Sequence, residues 1–116
     1  MPVTGSCHCG NVSYTLDAEA PTSALSCNCS ICRRKGSLLH FAPAEQFTLH
    51  TDPGAMNVYQ FNKHNIRHSF CATCGCTPFA GGTGPDGKEM VAINLRCADG
   101  IDLDTLEIHK FDGASV

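Results

Sequence analysis

Nine cysteines in a chain of 116 residues are its most reactive feature. Eight of them fall in three tight groups, Cys7-His8-Cys9, Cys27-Asn28-Cys29-Ser30-Ile31-Cys32 and Cys71-Ala72-Thr73-Cys74-Gly75-Cys76. An odd number in clusters argues against a disulfide framework, which needs even pairing, and for metal ligation. Cys71-x-x-Cys74-Gly75 has the spacing of a zinc knuckle, a tight turn that aims two thiolates at one ion while glycine takes the positive φ. A structural zinc wants four ligands in a closed tetrahedron, and spacing favours Cys7 and Cys9 as the second pair. Such a site would cross-link distant parts of a small sheet that has no tryptophan to anchor its core. Cys27, Cys29 and Cys32 then remain as three thiolates with an open fourth position, the arrangement of a catalytic zinc. Two other partitions stay open. Cys76, His40, His64 or His68 closes the middle site and makes both ions structural, or the middle group pairs with Cys71 and Cys74 and leaves the first pair free.

The elements that must position these groups are strands. Val12, Tyr14 and Leu16 alternate with Ser13 and Thr15, a period of two that places apolar side chains on one face. Similar runs cover Leu38 to Phe41, Phe47 to His50, Met56 to Phe61, Ile66 to Phe70, Met90 to Leu95 and Ile108 to Phe111, about seven strands in all. Asp52-Pro53-Gly54 and Pro85-Asp86-Gly87 punctuate them as turns. Short helical connectors are expected at Ser30 to Lys35, with Ser30 as N-cap and Gly36 as stop, at Pro43 to Gln46 and at Asp102 to Leu106. The expected fold is all-β, a small antiparallel sandwich or open barrel, with residues 1–116 as one domain.

Composition narrows the function classes. Eight basic against 11 acidic residues give a net charge of −3, which provides no electrostatic basis for binding nucleic acid. With 42% hydrophobic and 16% charged residues, 11 Gly and 6 Pro, the chain suits a folded, turn-rich protein. No apolar run approaches the length of a membrane helix, and the start MPVTGSCHCG has neither the basic nor the apolar region of a secretory signal. The expected compartment is therefore the reducing cytoplasm, where clustered thiols serve as metal ligands.

Three ordered segments, Gly5-Ser6-Cys7-His8-Cys9-Gly10-Asn11-Val12, Cys27 to Arg34 and Phe70 to Phe79, resemble the signatures of the glutathione-dependent formaldehyde-activating enzyme family. Asn94-Leu95-Arg96-Cys97-Ala98-Asp99-Gly100 and His109-Lys110-Phe111-Asp112-Gly113 are also similar to family segments, so the resemblance covers nearly the whole chain. It implies a zinc-bound all-β domain of the beta-tent type, related to methionine-R-sulfoxide reductases and to a guanine-nucleotide-exchange chaperone. It implies two zinc ions, one on Cys7, Cys9, Cys71 and Cys74 and a catalytic one on Cys27, Cys29 and Cys32. The implied activity is addition of glutathione to formaldehyde, giving S-hydroxymethylglutathione, or the reverse carbon-sulfur cleavage. Zinc suits that chemistry because it lowers the pKa of a coordinated thiol or polarises a carbonyl.

The first expectation is thus a zinc-dependent carbon-sulfur lyase whose partners are a small thiol and a small aldehyde. Its second ion, with three protein ligands, binds more weakly and loads incompletely. Arg33 and Arg34, with Lys35 beside them, are candidates to pair with ligand carboxylates. His8, between two ligands, points away from the ion. Cys76 is open to a ligand or redox role, and Cys97 is most simply a small buried apolar residue. His40, His50, His64, His68 and His109 are scattered singly, with His64 and His68 the two to watch because they lead into the Cys71 knuckle. The rivals are a zinc-stabilised binding module without turnover and a thiol redox enzyme using Cys97 or Cys76.

Overall fold

The computed structural model describes residues 2–51, 53–60, 66–84 and 86–112. Among them the chain forms β1 (Val3–Ser6), β2 (Ser13–Leu16), β3 (Ser23–Cys27), α1 (Ser30–Lys35), β4 (Leu39–Pro43), β5 (Phe47–Leu49), β6 (Met56–Tyr59), β7 (Ile66–Cys71), β8 (Phe79–Thr83), β9 (Glu89–Asn94) and β10 (Glu107–Phe111). The all-β expectation holds, and each of the seven expected runs contains a strand. The expected turn at Asp52-Pro53-Gly54 and that at Pro85-Asp86-Gly87 each include a residue outside the described ones, as do the expected end of the strand at Phe61 and the segment resembling the family at Gly113.

Three strands exceed the expectation: β1, β3 and β8. Their sequences, VTGS, SALSC and FAGGT, are rich in small and polar residues and have weak intrinsic strand preference. Pairing with neighbours makes them strands. β8, for example, is held between β7 and β9 along Phe79↔Ile93, Ala80↔Ala92 and His68↔Ala80. The helix at Ser30–Lys35 is present, but its N-cap is Cys29, which makes no side-chain capping bond, so Ser30 is the first helical residue. Gly36 ends it in the left-handed region at φ 71°. The other two connectors are single turns of 3₁₀ helix, Ala44–Gln46 and Leu103–Thr105.

The strands form two sheets, β1-β2-β5 and β10-β3-β4-β9-β8-β7-β6. All pairings are antiparallel except β10 with β3, a parallel edge that departs from the expected antiparallel sandwich or open barrel. One face of the large sheet carries Ala42, Phe79, Val91 and Ile93, which are buried with Tyr14 and Leu16 of the small sheet in one core. Phe47 bridges the two layers, with its ring centroid 5.3 Å from Tyr14 and 4.8 Å from Phe79. Such aromatic contacts add to the area they bury. The opposite face of the large sheet, through Leu25, Leu39, Phe41, Ala80, Ala92 and Asn94, lines a cleft of about 400 Å³. The fold therefore spends one face of this sheet on the core and leaves the other lining a cavity.

Candidate functional site

Two groups of thiols converge. Cys7 and Cys9 lie in the turn after β1, and Cys71 ends β7 with Cys74 in the turn beyond. The four sulfurs of Cys7, Cys9, Cys71 and Cys74 all lie within 4.8 Å of one another. Both turns are knuckles closed by a left-handed glycine, Gly10 at φ 84° and Gly75 at φ 81°. Their amides bond back, Gly10 N–H to the Cys7 carbonyl at 3.3 Å and Gly75 N–H to the Cys71 carbonyl at 3.0 Å. Cys9 Sγ stands 3.6 Å from both Cys7 Sγ and Cys71 Sγ. That distance is far too long for a disulfide, and a tetrahedron with zinc–sulfur bonds of about 2.3 Å has edges of about 3.8 Å. The spacing and donor type fit zinc.

The electrostatics call for a cation as well. Amide N–H groups of Cys76 and Cys9 pull the Cys74 thiol down to about 5, and the Cys74 amide leads the groups that lower Cys71. At Cys9 the Asn11 amide pulls down, but desolvation and the surrounding cysteine thiols outweigh it and push the group up to about 12. Some thiolates are easily made here and the next is opposed, a conflict that a bound divalent ion removes.

The second group is Cys27, Cys29 and Cys32, whose sulfurs likewise lie within 4.8 Å of one another. Cys27 is the last residue of β3, Cys29 the cap of α1 and Cys32 a residue of its first turn. Cys29 caps α1 without a side-chain capping bond. Burial and then the Cys29 thiol push Cys32 up to about 12. At Cys29 burial opposes ionisation, but the Cys32 amide and the Cys32 and Cys27 thiols win and hold it below its ordinary value. The same logic applies: three thiolates together need a cation, and the donors fit zinc.

The parallel edge strand fixes this group in place. Phe111 of β10 is in register with Cys27, its carbonyl accepts the Asn28 N–H at 3.2 Å, and Asn28 Nδ2 donates to Asp112 Oδ1 at 2.9 Å. No local signal foretells this pairing, since the partners lie 84 residues apart.

All three cysteines of the second group line the 400 Å³ cleft, and none of the first group does. Lys35, Ser37, His68 and Asn94 share that lining. Asn94 is a hub: its Oδ1 accepts from the amides of Leu38 and Arg96 at 3.2 Å each, and its Nδ2 donates to the Thr77 carbonyl at 3.0 Å. Burial lowers the pKa of Lys35. Burial and the Lys35 charge lower that of His68, which keeps the imidazole neutral at neutral pH.

The remaining candidates fall elsewhere. Arg33 and Arg34 are exposed on α1, Arg34 donates to the Ser30 carbonyl at 2.7 Å, and neither lines the large cleft; Lys35 is the member of that basic run that does. His8 is exposed. His40 is half-buried and lowered by burial, and it does not line the cleft. His50 Nε2 pairs with Thr15 Oγ1 at 2.7 Å, His109 lies 4.0 Å from Glu107, and His64 lies outside the described residues. Cys76 joins neither group; its amide is the main group lowering Cys74. Cys97 lies in the 3₁₀ turn Leu95–Cys97, where burial and nearby Cys76 push its thiol up to about 11, the opposite of what a nucleophilic thiolate requires.

Ser37 and Asn94 are polar lining residues that residue types alone did not single out. One trace of the cleft was present: runs such as Met90-Val91-Ala92-Ile93 are apolar on both faces, as a strand between two apolar surroundings must be. No helix among the described residues is long and apolar enough to cross a membrane.

The fold is similar to the crystal structure of a Rhodobacter sphaeroides protein, with a TM-score of 0.77 and 24% identity over 91% of this chain and 99% of that one. The sequence profile of the glutathione-dependent formaldehyde-activating enzyme matches residues 2–109, which include every cysteine of both groups. On that match, the chain belongs to the glutathione-dependent formaldehyde-activating enzyme family.

Proposed function

We propose that this protein is a zinc-dependent carbon-sulfur lyase that adds a thiol to a small aldehyde, or runs the reverse, at Cys27, Cys29 and Cys32. Glutathione and formaldehyde are the pair to which the family name points. The observation that carries the reading is the unequal placement of the two thiol groups: the three-cysteine group opens on the cleft and the four-cysteine group does not. Cys7, Cys9, Cys71 and Cys74 hold a structural ion, closed by four protein ligands.

When bound by Cys27, Cys29 and Cys32, zinc supplies Lewis acidity, which favours the thiolate form of a thiol and polarises a carbonyl. The protein's own groups do the rest. In the addition, a sulfur–carbon bond forms, the carbonyl π pair moves to oxygen, and the proton released by the thiol ends on that oxygen. His68, neutral in its buried position, takes that proton and returns it. The Lys35 ammonium at the cleft wall meets the negative charge that develops on oxygen. The apolar sheet face lowers the local polarity and so strengthens both interactions.

The test is magnetisation-exchange NMR on an equilibrated mixture of glutathione, a second thiol and formaldehyde, with zinc-loaded protein. Exchange between free and adduct thiol that is accelerated by the intact protein and not by Cys29→Ser supports the reading. No acceleration of any thiol, with two zinc ions per chain measured by metal analysis, overturns it in favour of a binding module.

A further inference from the structure

The cleft wall has a composition that bears on which thiol it takes. Across the large sheet, Leu25 pairs with Leu39, and Phe41 with Ala92, which pairs in turn with Ala80. These side chains share one face and line one cavity together with the three cysteines. The volume, about 400 Å³, lies within the usual range for small-molecule sites. Three large apolar side chains of this lining stay open to solvent, with Phe41 51%, Ile66 50% and Phe111 46% exposed. Apolar side chains left open beside the three cysteines suit an apolar ligand.

Charge is scarce there. Among the described residues of the lining, and apart from the three cysteines that would hold the ion, Lys35 is the one charged side chain, and no carboxylate or arginine joins it. Glutathione carries a pair of carboxylates, an ammonium and peptide amides; against them the described lining sets Lys35 and the neutral polar side chains Ser37, His68, Thr77, Thr83 and Asn94, and any group left unpaired would leave water for an apolar wall. An unpaired polar group costs a few kcal/mol on such a transfer, and an unpaired charge more. One lysine can meet one anion, and in the addition that anion is the aldehyde oxygen.

We propose that the thiol partner of this cleft carries a compact apolar body, aryl or branched alkyl, in place of the charged peptide body of glutathione. The proposal rests on the thiol-addition reading of Cys27, Cys29 and Cys32. The sulfur sits beside the three cysteines, the apolar body lies on Phe41, Ala92 and Ala80, and the aldehyde oxygen faces Lys35. The bond changes are those of any thiol addition to an aldehyde: the carbon-sulfur bond forms, the carbonyl π bond opens, and the thiol proton ends on oxygen.

Amide-resolved NMR titration of the zinc-loaded protein tests this, with 2-phenylethanol as a probe that has no sulfur, and with 2-phenylethanethiol and glutathione as thiols. The expected result is that 2-phenylethanol shifts the amides of Phe41, Ala80 and Ala92, and that 2-phenylethanethiol binds at least tenfold tighter than glutathione. Phe41→Ser, at an exposed position where folding tolerates the change, should weaken both phenyl probes about tenfold and leave glutathione unaffected. Equal or tighter binding of glutathione overturns the proposal, as does a cleft closed by a second copy of the chain in sedimentation at the NMR concentration. Acceleration of glutathione exchange without 2-phenylethanol binding overturns this proposal alone. Binding of 2-phenylethanol without acceleration of any thiol overturns the addition reading and, with it, the proposal.

Discussion

The two thiol groups offer the same donor atom in different settings. Cys7 and Cys71 are 3% and 1% exposed, and their group joins segments 62 residues apart in sequence. Cys27, Cys29 and Cys32 are all half-buried, come from one short stretch, and open on the cleft. A closed set of four ligands tying distant strands contributes to the stability of the fold, whereas three ligands from one loop contribute little cross-linking and leave room for a substrate. The difference lies in closure and connectivity, since the residue type is identical.

The largest effect expected from this contrast is Cys71→Ser, which removes a buried ligand from the cross-link and should cost about 4–5 kcal/mol or more, with loss of one zinc per chain. Denaturant unfolding and metal analysis measure both. Cys29→Ser should also lose one zinc, unfold at nearly the wild-type denaturant concentration and lower thiol–aldehyde exchange at least a hundredfold. Equal collapse of the two variants would remove the division between structural and catalytic groups.

A smaller effect sharpens the cleft side. If neutral His68 carries the proton, wild-type activity should persist at pH 6.5, the ordinary value for histidine, and fall only below it, because His68 lies lower. His68→Gln should lower the rate about a hundredfold and abolish that acid limb in a pH–rate profile. Stability moves the same way. A histidine whose folded pKa is depressed binds fewer protons folded than unfolded, so its contribution is intact above 6.5 and is lost as pH falls through the folded value.

On the structural side, Gly5 of β1 faces the Tyr14 ring so closely that a Cβ there would stand 2.5 Å from the hydroxyl. Gly5→Ala should cost about 1–3 kcal/mol in thermal or denaturant unfolding, and leave exchange activity unchanged per folded molecule. The smallest effect is Tyr14→Phe. The Tyr14 hydroxyl is buried and has no hydrogen-bond partner among the described residues, so its removal should be neutral or stabilising by up to about 1 kcal/mol by the same unfolding measurement.

Local signals carried a good share of the fold. The alternation of Val12, Tyr14 and Leu16 was legible as a strand because its period of two is a property of the backbone and needs no partner. Gly36 was legible as the stop of α1, since only a residue free to take a positive φ ends a helix that way. Cys71-x-x-Cys74-Gly75 was legible as a knuckle for a similar reason. β1, β3 and β8 were not, because their small residues become strands only when neighbours supply the hydrogen bonds.

The basic run after Cys32 shows the same limit at the site. Residue types suggested Arg33, Arg34 and Lys35 together as ligand contacts; all three are exposed on α1, and only Lys35 joins the lining of the large cleft. His68 drew attention as a lone histidine before a knuckle, while its neighbourhood with Lys35 depends on the approach of β7 to α1.

The sequence by itself determined the donor atoms, their grouping in three clusters, the strand character of most elements and the family, because these depend on residue type and short spacing. Only the tertiary structure decided which clusters meet, which face of the large sheet is left for the cleft, and that β10 returns in parallel to hold Cys27. Those outcomes depend on pairings between residues tens of positions apart, whose register is set by burial of the opposite sheet face rather than by any local pattern.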